Sequence, residues 1–202
     1  MGERRESKKR ETRQRISDVA TTLFFARGFE AVTLDEIAVA AGVAKQTVTN
    51  YFARKEELIL DREDDLLLLP FRAALRDRAK GQPPIDALRR LVVQLTAEGH
   101  PLTRIDAQTN QWWRVVAASP ALRARMRELA EEAAEGLAAA LAGRAPDGFA
   151  RLQAGMIVLT LRTAHAEAMQ MFEHGASSKK ATATLRALIE HGFAAVEQMA
   201  GR

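Results

Sequence analysis

The stretch "AVAAGVAKQTVTNYF", Ala38 to Phe52, decides the fold. Small apolar residues run up to a single glycine, Gly42, and the chain resumes as a short polar segment closed by two aromatics, Tyr51 and Phe52. Lys45, Gln46, Thr47, Thr49 and Asn50 are polar, and no acid stands among them. Ile37, Ala38, Ala41, Val43, Val48 and Tyr51 fall at the inward positions of two short helices crossing at a tight turn. Ala38 is small where the second helix must approach, and Gly42 takes the positive φ that a sharp reversal needs. This is the helix-turn-helix pattern. Its second helix, Lys45 to Tyr51, turns an acid-free polar face outward, as a helix entering a major groove requires. The competing reading is a plain corner of two helices with a solvated face.

Upstream, Thr33 and Glu36 read as a capping box, with Val32 and Ile37 as the hydrophobic staple around it. Before that, Ile16, Val19, Ala20, Leu23 and Phe24 recur at helical spacing, so a first amphipathic helix is expected over Glu11 to Arg27, stopped by Gly28. Residues 1–15 carry seven Arg/Lys against three Glu, a surplus equal to the whole chain's net charge of +4. Such an arm suits nucleic-acid contact, and equally a solvated, frayed terminus.

Bulk composition narrows the class. At 202 residues and 47% hydrophobic, the chain can bury a substantial core. Aromatics are scarce and Ala, Leu and Arg abundant, which favours an all-α fold. Without cysteine there is no disulfide framework, thiolate metal site or Cys nucleophile, which suits a reducing cytoplasm. No signal peptide is visible and no apolar run is long enough to span a bilayer, so no membrane role is expected. His100, His165, His174 and His191 lack metal-ligand spacing, so neither metal nor cofactor is expected. "DREDD" at Asp61 to Asp65 reads as a solvated helix face.

Residues 12 to 58, with Phe24, Arg27-Gly28-Phe29, Thr33, the glycine turn, Tyr51-Phe52 and Lys55-Glu56-Glu57-Leu58, resemble the DNA-binding domain of the TetR family of bacterial regulators. The resemblance implies an all-helical homodimer. An N-terminal three-helix domain, residues 1–53, would bind a double-stranded DNA operator. A helical C-terminal domain, 54–202, would dimerise and bind a small-molecule effector. It implies that Thr33, Thr49, Tyr51 and Lys55 contact phosphates, and that Lys45, Gln46 and Thr47 reach base edges, with Asn50 on the same face. Ala44 departs from the family, which often has Ser at the cap of the recognition helix; Ala is a poor cap, and Thr47 is the residue placed to compensate.

Beyond Arg54 the chain reads as further helices. A long fourth helix is expected from Arg54 to Arg78, kinked near Leu66–Leu69 by Pro70. Others follow from Pro84, over Thr103–Ala118, Ala121–Leu141, Asp147–His174 and Lys179–Met199. Leu185, Leu188, Ile189, Gly192, Phe193, Val196 and Met199 form one apolar stripe, and Phe149, Leu152, Met156, Leu159 and Thr163 another. In the family the corresponding helices pair with their symmetry mates; the alternative is that both stripes are intramolecular core.

Thr109, Trp113, Met156, His165, Met169 and Phe172 are the candidate effector-lining residues, soft and apolar with a few polar groups. Val115 to Met156 resembles the C-terminal domain of mycofactocin-associated members of the family, which implies a long-chain acyl-CoA as effector. Three functions compete: a repressor released from a palindromic operator by a mostly apolar effector, an effector-independent dimeric DNA-binding protein, and an enzyme using the C-terminal cavity. The last lacks any recognisable acid, base or nucleophile arrangement, so no enzyme is expected.

Overall fold

The computed structural model describes residues 2–60, 68–143 and 145–200. Among them the chain forms nine α-helices, two short 3-10 turns and no strand, so the fold is all-α. The chain divides into two compact units, Met1–Glu63 with Gln111–Arg125, and Asp64–Asn110 with Met126–Arg202.

In the first unit, α1 spans Gly2–Arg27. The basic arm is therefore the opening of α1 rather than a separate strand of coil. Ile16, Ala20 and Phe24 are its fully buried face. Gly28, at φ +82°, ends the helix with its amide on Phe24 O at 2.9 Å. α2 spans Leu34–Ala40 and α3 spans Lys45–Tyr51. Thr33 Oγ1 accepts from the Glu36 amide while the Glu36 carboxylate accepts from the Thr33 amide at 2.7 Å, so the capping box forms as its spacing predicts.

Between α2 and α3, Gly42 has φ +65°; its amide bonds Val39 O at 3.1 Å and the Val43 amide bonds Ala38 O at 3.0 Å. This pair of bonds is the Schellman closure that a left-handed residue permits. Ile37, Ala38, Ala41 and Val48 are buried as the periodicity implies, with Val43 and Tyr51 half-buried. A 3-10 turn, Lys55–Leu58, follows, and Leu58, Ile59 and Leu60 are buried. The buried hydroxyl of Ser17 is satisfied by Leu58 O at 3.1 Å.

The fourth helix differs from expectation. Arg54 is extended and the segment after it is the 3-10 turn. α4 spans Leu69–Arg76 with Pro70 in its first turn. Proline there removes an amide that has no intrahelical acceptor, so Pro70 opens a helix instead of kinking a long one. Residues 61–67, which include "DREDD" and the first half of the expected kink site, Leu66 and Leu67, lie outside the described residues.

In the second unit α5 spans Pro84–Ala97. α6 is Ala107–Ala118, starting later than Thr103 because Asp106 and Thr109 cap it reciprocally: each amide bonds the other's side-chain oxygen at 2.8 Å. α7 spans Pro120–Ala142, α8 Gly148–Glu173 and α9 Ser178–Ala200. Both α6 and α7 pass from one unit to the other.

Most of the α9 stripe is covered by its own chain, with Leu188 and Met199 half-buried. Leu185, Ile189, Phe193 and Val196 are at most 1% exposed. Gly192 lets α8 lie against α9, since a Cβ there would come within 2.2 Å of Thr160. Large apolar residues left in solvent include Phe149, Leu152 and Leu159 on α8, Val93 on α5 and, in the first unit, Val39 on α2.

Candidate nucleic-acid interface

α3 places Lys45, Gln46, Thr49 and Asn50 in solvent, with Thr47 and Tyr51 half-buried and Val48 holding the inner face. Ala44 is extended at the N-cap and supplies no side-chain bond; the first turn is closed by the Thr47 amide on Ala44 O at 2.8 Å. The Thr47 amide thus contributes where its side chain was expected to.

The outer face is internally ordered. Gln46 Nε2 donates to Asn50 Oδ1 at 3.0 Å and to Thr49 Oγ1 at 3.3 Å, and Thr49 Oγ1 donates to Gln46 O at 3.1 Å. The carboxamide of Gln46 is held along the helix by these bonds. Lys45 Nζ sits 2.8 Å from Asp35 Oδ2 of α2, with both groups mostly exposed. That acid lies beside the recognition helix although α3 itself has none.

Two expected phosphate contacts have other partners. Thr33 Oγ1 donates to Glu36 Oε2 at 2.9 Å as part of the capping box. Glu36 also pairs with Arg27 at 2.8 Å, and its pKa is lowered to about 2, first by the Thr33 amide, then by Arg27 and the Thr33 hydroxyl. Lys55 Nζ donates to Phe29 O at 2.5 Å and lies 4.3 Å from the centre of the Phe29 ring. Burial lowers its pKa, against the pull of Glu30, Glu56 and Glu36. Lys55 therefore pins the Phe24–Phe29 pair, whose rings are 5.0 Å apart. Sequence reading could not see this, because Phe29 stands 26 residues earlier.

Arg13 is the functional residue that the sequence reading passed over among the arm's other cations. Its Nη1 donates to Tyr51 O at 2.6 Å and its guanidinium lies 4.3 Å from the Phe52 ring centre. It fixes the last turn of α3 onto α1.

The effector candidates are not all together. On α8, His165, Met169 and Phe172 share one face, the first two buried and Phe172 half-buried. Met156 is nine residues from His165, which at about 100° per residue puts it on the opposite side, with Phe149, Leu152 and Leu159. His165 Nδ1 is 2.8 Å from Leu161 O, and burial holds its pKa below the ordinary value. Thr109 is the Asp106 capping partner, and its hydroxyl is spent there. Trp113 meets Trp112 edge to face at 5.0 Å, and Trp112 Nε1 donates to Ile59 O at 3.0 Å. Next to Thr109, the Oδ1 of Asn110 is a buried acceptor with no hydrogen-bond partner among the described residues. No sequence signal singles Asn110 out. Among the described residues no group of three His, Cys, Asp or Glu could hold a metal, and no helix is long and apolar enough to cross a membrane.

Residues 16–61 match the family model for bacterial regulatory proteins of the tetR family. The chain is 33% identical over 144 residues to the HTH-type transcriptional regulator TcmR of Streptomyces glaucescens, covering 69% of this chain and 63% of that protein. It is 49% identical over 47 residues to MftR of Mycobacterium tuberculosis, named for mycofactocin biosynthesis regulation, covering 23% of this chain and 24% of that one. The chain thus spans less than two thirds of either relative's length. Among solved structures, the SmeT–triclosan complex, SmeT being from Stenotrophomonas maltophilia, aligns with a TM-score of 0.62 at 20% identity over 92% of this chain and 91% of that one. A TetR-family regulator from Mesorhizobium loti aligns with a TM-score of 0.57 at 21% identity over 93% and 97%. These two likenesses concern the fold. A helix-turn-helix closed at Gly42, capped at Thr33 and matched along its length by the family model leaves one conclusion: residues 16–61 form a DNA-binding domain of the kind found in bacterial regulatory proteins of the tetR family.

Proposed function

We propose that this chain is a homodimeric transcriptional regulator that reads a palindromic DNA operator with α3 and leaves it when a small, mostly apolar effector binds. The observation that carries the reading is the outer face of α3, where Lys45, Gln46, Thr49 and Asn50 are all exposed on a helix that Arg13 and Val48 hold in place. Lys donates to guanine and Gln pairs with adenine at base edges, while Thr49 and Tyr51 suit phosphates. Two such helices spaced by one turn of DNA, or a multiple, would explain a need for two chains.

For the effector, support comes from the His165, Met169 and Phe172 face and from the unpaired Asn110 acceptor, which suits a ligand with a donor group on an apolar body. A long-chain acyl-CoA is the class to try first, on the resemblance of Val115–Met156. Arg162, exposed on α8 in the same unit as the His165 face, is the candidate for its phosphates, whereas Arg104 is bound to Asp106 at 2.8 Å. α6 and α7, each shared by the two units, are the continuous elements through which the effector would act. The effector must bind the DNA-incompetent state more tightly, and operator DNA must then weaken effector binding by the same factor.

Duplexes selected from a random pool test the reading. Gln46→Ala should flatten sequence preference by about 1–3 kcal/mol at one base position. Unchanged preference removes Gln46 from base readout. Operator complexes titrated with long-chain acyl-CoAs and free fatty acids, followed by Trp fluorescence and DNA release, test the effector. If no compound lowers operator affinity, the effector-independent dimer is the correct reading.

A further inference from the structure

A basic cleft in the second unit plays no part in the function proposed above. It is a half-open groove of about 650 Å³ between the end of α4 with residues 77–81 and the last turns of α7. Arg72, Arg76, Arg78 and Lys80 line it, and Gly136 and Ala140 contribute to its floor.

The bland explanation is that cations near helix C-termini complement the helix dipoles. That covers two of the four. Arg76 pairs with Asp77 at 2.9 Å. Arg78 donates to the carbonyls of Leu75 and Ala140, which fixes its guanidinium between the ends of α4 and α7. It does not cover Arg72 and Lys80, neither of which has a hydrogen bond or ion pair among the described residues. Nor does it explain Gly136. Glycine inside a helix is unfavourable, yet any Cβ there would come within 2.7 Å of the Arg72 guanidinium carbon. The glycine lets Arg72 lie flat along the floor of the cleft.

Beside the Arg76–Asp77 pair, Arg72, Arg78 and Lys80 bring uncompensated positive charge to one cleft, and an anion seated among them offsets that charge while taking charge-assisted hydrogen bonds. The volume falls within the range of small-ligand sites, roughly 300–1,000 Å³, and exceeds the needs of a single phosphate. We infer that this cleft binds a small molecule bearing a diphosphate, with Arg72 and Lys80 as the free cations that take it and Arg78 as a fixed donor. A DNA backbone is a worse fit, because it needs cations along an open surface, not gathered in a recess of this size.

Calorimetric titration of the full-length protein with inorganic pyrophosphate, ADP and adenosine, at about 50 mM salt to limit screening, tests the inference. Pyrophosphate and ADP should bind at one site per chain and adenosine should not. Lys80→Gln, an exposed change that leaves the fold intact, should weaken both anions about tenfold, as should Arg72→Gln. Lys179→Gln on α9 should change nothing. Tighter binding of ADP than of pyrophosphate identifies a nucleotide; equal binding identifies a free diphosphate. The inference is overturned if neither anion binds, or if both Lys80→Gln and Arg72→Gln leave the affinities unchanged. It is also overturned if Lys80→Gln lowers duplex DNA affinity while neither small anion binds, which would make the cleft a nucleic-acid contact.

Discussion

Arg13 of α1 donates to the main-chain carbonyl of Tyr51, at 2.6 Å, across 38 residues of sequence. The acceptor is one of the last carbonyls of α3, a group that the helix itself leaves without a partner. The same guanidinium covers the Phe52 ring. One side chain thus caps the recognition helix and sets its angle to α1. Arg13→Ala should cost about 1–2 kcal/mol of stability, from a charge-assisted bond and a partly exposed cation–π contact. Arg13→Lys should recover less than half, because a lysine ammonium lacks the planar face and fork. Denaturant unfolding checks both values. An Arg13→Ala protein as stable as the parent would mean that α3 is held without this clamp.

Lys45 illustrates the opposite case, an interaction that matters little for folding and more for recognition. Its partner Asp35 is exposed, and such pairs contribute about 0–1 kcal/mol. Asp35→Asn should therefore leave the unfolding midpoint nearly unchanged. It should raise affinity for duplex DNA of any sequence, because Lys45 no longer has to leave a carboxylate and one negative charge is gone from the approach face. Binding to random duplex measured over a salt series checks this. Equal affinity in the two proteins would show that Asp35 stands clear of the DNA.

Glu36 links pH to the start of α2. Its folded pKa lies at about 2 against an ordinary 4.5, held down first by the Thr33 amide. A depressed carboxyl pKa stabilises the fold fully above the unfolded value and loses that contribution as pH falls through the folded one. The stabilisation from the capping box should therefore be complete at pH 5 and fall away between about 4.5 and 2, while in the folded chain the box itself opens only near 2. Carboxyl NMR should place the Glu36 midpoint near 2, and Glu36→Gln should remove the acid-dependent part of the change in the Thr33 and Glu36 amide shifts. A midpoint near 4.5 would show that the reciprocal bonds do not form in solution.

The features legible in the sequence were those whose chemistry is local. Thr33 and Glu36 are three residues apart, and Gly42 needs only its own φ, so the capping box and the turn could be read from spacing alone. Lys55 could not, because its partner is a carbonyl brought near by the fold of the whole first unit. Pro70 was ambiguous for a different reason: proline tells where a helical amide is missing, and both a kink and a first turn satisfy that. Met156 shows how side-chain chemistry and helical angle can point different ways. Its softness suggested a ligand wall, while its register with Phe149 and Leu159 puts it on another face of α8. Periodicity also showed an apolar stripe on α9 without showing what covers it.

That last distinction gives the sharpest test of dimerisation. Phe193 and Leu185 are 0% exposed within one chain, so they are core whatever the oligomeric state. Single apolar residues are exposed elsewhere, Val93 on α5 and Val39 on α2, but α8 carries three together, Phe149, Leu152 and Leu159, which are 47%, 54% and 62% exposed. These three and Met156 fall within an arc of about 80° on the helix, a continuous stripe rather than scattered residues. If the dimer forms along this stripe, Leu152→Glu combined with Leu159→Glu should leave each chain folded, since exposed positions tolerate substitution within about 0.5 kcal/mol. The double variant should sediment as a monomer and lose most of its affinity for a two-half-site operator, while binding a single half-site as weakly as the parent does. Phe193→Asp should behave differently, losing more than about 4 kcal/mol and unfolding, because it puts a carboxylate in the core and leaves a cavity. Sedimentation together with circular dichroism separates the two outcomes. A double-glutamate protein that remains a dimer at micromolar concentration would move the interface off the α8 stripe.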